Sequence, residues 1–108
     1  MTTRWYPPAT RMNIKPGAND PHIEPVIVIL HVDAGNARSL FRWFNGPSGG
    51  IESHLHLTKK GKWEQYRAFD READAQLGAN SWVVGEGSNA RRLGSISVET
   101  QGTGTGWW

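Results

Sequence analysis

The run Val26-Ile27-Val28-Ile29-Leu30-His31-Val32-Asp33-Ala34-Gly35 constrains the fold more than any other stretch of the chain. Five apolar residues, four of them β-branched, lead to a histidine; within two more residues the chain is polar, and it then reaches a glycine. β-Branched side chains are stiff at χ1 and suit a pleated strand. With no polar residue on either face before His31, the pattern predicts a strand over 26–32 covered on both sides, as at the centre of an α/β sheet. A covered strand that ends on an imidazole calls for an explanation.

The residues that follow complete a strand–loop–helix unit. Asn36 reads as an N-cap, and Ala37, Leu40, Phe41 and Phe44 fall at i, i+3, i+4 and i+7, one face of a helix. Asn45-Gly46-Pro47 ends it. "SHLHL" (53–57) alternates, with Leu55 and Leu57 on one face and His54 and His56 on the other. "TKKGK" turns the chain and "WEQYRAF" (63–69) returns it, a hairpin in which Gly61 supplies the positive φ. "DREADAQL" (70–77) suits an ordered loop or a short helical turn, and "SWVVGE" (81–86) a short strand. "SISVETQG" (95–102) is a strand with Ile96 and Val98 on one side and Ser95, Ser97 and Glu99 on the other. Residues 1–25 hold five of the six prolines and read as an irregular arm anchored by Trp5 and Tyr6.

Composition narrows the function classes. A chain of 108 residues makes one domain with one modest core. Net charge is +2, with both signs interspersed, which gives no electrostatic case for nucleic acid. The basic residues Lys59, Lys60, Lys62, Arg91 and Arg92 define a nucleic-acid-binding alternative, to be separated by the salt dependence of oligonucleotide binding. There is no cysteine, so disulfides and thiolate metal sites are excluded for this chain. No apolar run is long enough to span a bilayer, and the N-terminus carries no signal-peptide core.

Two residues stand out chemically. His31 closes one strand and Glu99 lies near the carboxyl end of another, where open α/β sheets bind their ligands. An imidazole and a carboxylate in one crevice suit a metal-bound water with a general base beside it. The competing reading is a satisfied interior histidine and an ion-paired strand end. His54 and His56, two residues apart on one strand face, are a weaker metal pair, because a metal needs further ligands. His22, among prolines, reads as a surface residue.

The order of these pieces resembles the zinc-dependent N-acetylmuramoyl-L-alanine amidases, which include phage endolysins and peptidoglycan-recognition proteins. The segments that carry the resemblance are "HVDAG" (31–35), "ESHLHLTKKGKWEQYRAF" (52–69) and "SISVETQG" (95–102); with the strand that leads into the first, the resemblance spans 26–102. The resemblance implies an α/β fold, with a mixed central sheet of about five strands and flanking helices. Residues 1–25 are then an N-terminal arm, and 26–108 the N-terminal portion of an amidase-like catalytic domain. It further implies that His31 is a zinc ligand and that Glu99 helps to activate water. His54 matches a structural strand histidine. Ser53 falls where some phage members carry a catalytic tyrosine, which sets the resemblance with the branch that uses a glutamate.

The family's remaining zinc ligands and its closing helix have no match before Trp108, so the chain by itself is expected to bind zinc weakly and to be a poor catalyst. The implied partner is bacterial peptidoglycan, cleaved between N-acetylmuramic acid and L-alanine, with a non-catalytic peptidoglycan-binding module or inactive fragment as the alternative. Neither nucleic acid binding nor membrane insertion is expected. Synthesis in the host cytoplasm without a signal peptide, followed by action on the cell wall after release, fits an endolysin. A sheet face lacking its helix, near Trp107 and Trp108, is expected to favour self-association.

Overall fold

A computed structural model describes residues 4–14, 20–33, 40–45, 52–75 and 79–101, without the side chains of residues 33, 42 and 43. Six strands form one mixed sheet: β1 (Thr10–Arg11), β2 (Glu24–Asp33), β3 (Leu55–Leu57), β4 (Trp63–Gln65), β5 (Ser81–Val84) and β6 (Arg91–Gln101). The order is β1-β4-β3-β6-β2. β6 runs parallel to β2 along nearly its whole length. On its other side it pairs first with antiparallel β5, through residues 91–94, and then with parallel β3, through residues 98–100.

The expected hairpin is present. β3 and β4 pair antiparallel, Gly61 takes φ +81°, and Thr58 closes the turn: its carbonyl accepts from Gly61 N at 2.9 Å and its hydroxyl from Lys62 N at 3.1 Å. The strand over 81–84 is also present, whereas β6 starts four residues earlier than the alternation suggested. Within β6, Gly94 has a steric reason to lack a side chain, since a Cβ there would lie 2.5 Å from Ile23 Cδ1.

Helices do not flank the sheet among the described residues. The one α-helix among the described residues is α1 (Phe41–Phe44), a single turn, so the expectation of flanking helices is corrected to a six-stranded sheet with almost no helix among those residues. Asn36, Ala37, Gly46 and Pro47, which framed the longer helix, lie outside the described residues. What survives of that helical face does pack. Leu40 and Phe44 are buried with Ile14 and Tyr66, Met12 and Phe41 lie against them, and the Phe44 and Tyr66 rings meet edge to face at 4.7 Å.

The N-terminal arm is less irregular than its prolines suggested. Thr10 and Arg11 form β1, parallel to β4. Buried Gln65 fastens the arm: its side-chain amide donates to Arg4 O at 3.0 Å and its Oε1 accepts from Tyr6 N at 2.7 Å. Trp5 stacks under Arg11 (3.6 Å), and Tyr6 meets Trp63 edge to face at 5.6 Å. His22 is exposed and bridges to Arg71 in the backbone ladder.

The apolar run has a different place from the one its composition predicts. β2 lies at the edge of the sheet, and Val28 and Leu30 are 60% and 59% exposed. Apolarity on both faces reports what a strand could bury. Position in the sheet is decided by pairing, and β2 pairs with β6 alone among the described residues.

Candidate functional site

β2, β3 and β6 are mutually parallel or in register through β6, so their carboxyl ends lie together. The register places His31 of β2 beside Glu99 of β6, and Glu99 beside His56 of β3. The hairpin then sets Glu64 of β4 opposite His56. In-register residues leave a sheet on the same face, so His31, Glu99, His56 and Glu64 form one titratable row across four strands. With strands about 4.8 Å apart, the two histidine backbones stand about 10 Å apart across Glu99.

His56 is fully buried. Its Nδ1 lies 3.0 Å from Glu64 Oε1, and the same oxygen accepts the Tyr66 hydroxyl at 2.8 Å. A carboxylate only accepts, so Nδ1 carries the hydrogen and donates. Nε2 is buried and has no hydrogen-bond partner among the described residues. One ring nitrogen held by a carboxylate and the other left open is the arrangement that orients histidine ligands in metal sites.

His54 is the opposite case. Its Nδ1 accepts from Ser97 N at 3.1 Å, so Nε2 carries the hydrogen and donates to Arg71 O at 2.6 Å. Both nitrogens are committed, and burial lowers its pKa from 6.5 to about 4. His54 is thus a structural histidine that ties β3 to β6 and to the loop at Arg71. The alternative of a His54–His56 metal pair is ruled out by that bonding.

Three donor atoms from His31, His56 and Glu99 do not come within 4.8 Å of one another; the described residues that achieve this are Asp20, Glu52 and Asp74, at the other end of β3. Just past the row, at the carboxyl ends of β3 and β6, Thr58, Lys59, Lys60, Lys62 and Gln101 line a cavity of about 370 Å³. Gln101 Oε1 accepts from Lys59 N at 3.3 Å, which joins two of the lining residues. Trp107 and Trp108, and the loop over 46–51, lie outside the described residues.

His31 and Glu99 were legible from their strand ends. His56 as a member of the row was not, and neither were its supports Glu64 and Tyr66. The available signal was the hairpin: a turn centred on Lys60 and Gly61 pairs 56 with 64, and the alternation then puts Tyr66 on the same face.

Comparison with models of known families, with curated proteins and with solved structures returned no match. The likeness to the zinc amidases therefore rests on the three sequence motifs.

Proposed function

We propose that this chain is a peptidoglycan hydrolase of the zinc-amidase type, acting on the amide between N-acetylmuramic acid and L-alanine. The observation that carries the reading is the in-register juxtaposition of His31 and Glu99 at the carboxyl ends of parallel strands, with His56 on the far side of Glu99. The donor types suit zinc: His31 would hold it, and the open Nε2 of His56, backed by Glu64, is a second nitrogen of the required kind. Zinc at such a site would supply Lewis acidity toward the scissile carbonyl and an acidified water. Glu99 would take the proton of that water on its carboxylate and return it to the leaving amine. The lysine-lined cavity at the same sheet end suits the carboxylates of a stem peptide.

A second reading, a module that binds peptidoglycan without cleaving it, is favoured by the separation of the donors. A hydrolytic zinc site uses three protein ligands, and this row does not converge three donor atoms within 4.8 Å.

Purified cell walls incubated with the chain and zinc separate the two. New L-alanine amino termini that disappear in His31→Ala support the hydrolase. Saturable sedimentation with the walls without new termini, weakened by Lys59→Glu with Lys62→Glu, supports the binding module. Neither binding nor cleavage would overturn both.

A further inference from the structure

At the amino-terminal entry to β3, away from the His31–Glu99 row, three carboxylates are gathered under the N-terminal arm. Asp20, Glu52 and Asp74 each place an oxygen within 4.8 Å of the others. Glu52 is fully buried. Its Oε1 accepts from Arg67 Nε at 2.9 Å, and the same Nε reaches Asp20 Oδ2 at 2.9 Å. The second oxygen of Glu52, Oε2, is buried and has no hydrogen-bond partner among the described residues. An ionised carboxylate oxygen removed from water without a donor is strongly unfavourable. With all three carboxyls ionised, Arg67 sets one positive charge against three negative ones, and its Nε is already divided between two of them.

We propose that Asp20, Glu52 and Asp74 form a binding site for one hard divalent cation of the calcium, magnesium or manganese class. The ligands are all oxygen, which selects against zinc and copper and in favour of these ions. An ion there gives Glu52 Oε2 its missing partner and offsets the surplus negative charge. It would also link three segments: the N-terminal arm at Asp20, the start of β3 at Glu52 and the loop at Asp74. The site's function is then structural, fixing the arm and that loop onto the sheet. The electrostatics agree: burial and the charges of Glu52 and Asp20 push the Asp74 carboxyl up to about 7, and burial pushes that of Glu52 up.

The test is calorimetric titration of the metal-stripped chain with calcium, magnesium or manganese chloride at pH 8, paired with thermal melts. The expected result is one ion per chain with a Kd of about 1 mM or tighter, as for modest oxygen sites, and a melting temperature that rises with the ion. Asp74→Asn, at a partly exposed position, is expected to weaken binding at least about tenfold. Glu52→Gln is the second variant, expected to abolish the ion's effect on melting. Saturable binding that is the same in the parent and in Asp74→Asn would overturn the site. So would no response to any of the three ions at about 10 mM, a tenfold excess over the weak end of such sites. A melting temperature that rises from pH 8 to pH 6 without an ion response means that a proton neutralises the cluster, and this too overturns the proposal. His31→Ala should bind the ion as the parent does, which keeps this result independent of the proposed hydrolase.

Discussion

His31 and Glu99 are in-register partners on the parallel strands β2 and β6, and His56 holds the same register on the other side of Glu99. Because Glu99 stands between two imidazoles, its chemistry can be tested without dismantling the row. Glu99→Gln keeps the shape and removes the base. In a form of the protein extended through the family's remaining zinc ligands, wall hydrolysis should fall about 10²–10⁴-fold, while zinc content and sedimentation with walls stay unchanged. A variant that cleaves within about threefold of the parent removes Glu99 from the role of base.

The support of His56 makes a stability prediction that is independent of any catalytic reading. Glu64 Oε1 accepts from both His56 Nδ1 and Tyr66 Oη in a buried setting. Tyr66→Phe deletes one donor and should cost about 1 kcal/mol. Glu64→Leu strands two buried donors and should cost about 3 kcal/mol or more. Urea denaturation of the two single variants and the double variant checks this. The double variant should cost less than the sum, since the Glu64→Leu change has already taken away the acceptor of the Tyr66 hydroxyl. Additive losses would mean that the three groups do not act as one network.

A pH prediction follows from two groups that pull in opposite directions. His54 titrates near 4 when folded and near 6.5 when unfolded, so the unfolded chain binds the extra proton between those values. Its contribution is fully present above pH 6.5 and is lost as pH falls toward 4, at most about 3 kcal/mol. Asp74 has its folded pKa raised from 3.8 to about 7, so the folded chain binds the extra proton and stability is gained as pH falls over that range. In the metal-free parent the two slopes oppose each other. In Asp74→Asn the opposing slope is reduced to that of Glu52, whose carboxyl is also raised by burial, so stability should fall from pH 6.5 to pH 4 more steeply than in the parent. At pH 8, metal-free Asp74→Asn should be the more stable protein, because the repulsion from Glu52 and Asp20 is relieved. Chemical denaturation of both proteins at four or more pH values reads this. Parallel curves would show that Asp74 is ionised throughout.

Local chemistry was legible in the sequence and long-range placement was not. The hairpin from Leu55 to Gln65 followed from alternation and Gly61, the strand end at His31 from the chain turning polar after an apolar run, and Glu99 from the alternation over 95–99. The structural role of His54 came with the resemblance and is supported by its two hydrogen bonds. The edge position of β2 was missed because apolarity on both faces is a property of the strand alone, whereas an edge is a property of pairing. The acidic group was missed because Asp20, Glu52 and Asp74 are each ordinary in their own segments; only packing of the arm on the sheet assembles them. Arg67, which spans Asp20 and Glu52, carries no mark in "EQYRAF" of that role.

The exposure of β2 leads to the last prediction. Val26, Ile27, Val28, Leu30 and Val32 are all exposed on a strand of ten residues that pairs on one side only among the described residues. Its charged or imidazole-bearing positions are confined to Glu24 at the start and His31 and Asp33 at the end, and its one register shift lies early, between Pro25 and Ile27. From Ile27 to Leu30 it lacks the lysines or bulges that normally discourage edge pairing. A second copy of the chain meets the requirement of such an edge: it offers the same row of backbone donors and acceptors, and the same apolar side chains to cover. The chain should therefore self-associate through β2; the Trp107–Trp108 end that the sequence pointed to lies outside the described residues. Sedimentation velocity over a range of protein concentrations should show a reversible shift to larger species. Val28→Lys and Leu30→Lys place a charge on that face at positions already 60% and 59% exposed. Each should change monomer stability by no more than about 0.5 kcal/mol, as expected of surface substitutions, while shifting the distribution to monomer. A parent that stays monomeric to its solubility limit, or lysine variants that associate as the parent does, would rule out β2 as the contact.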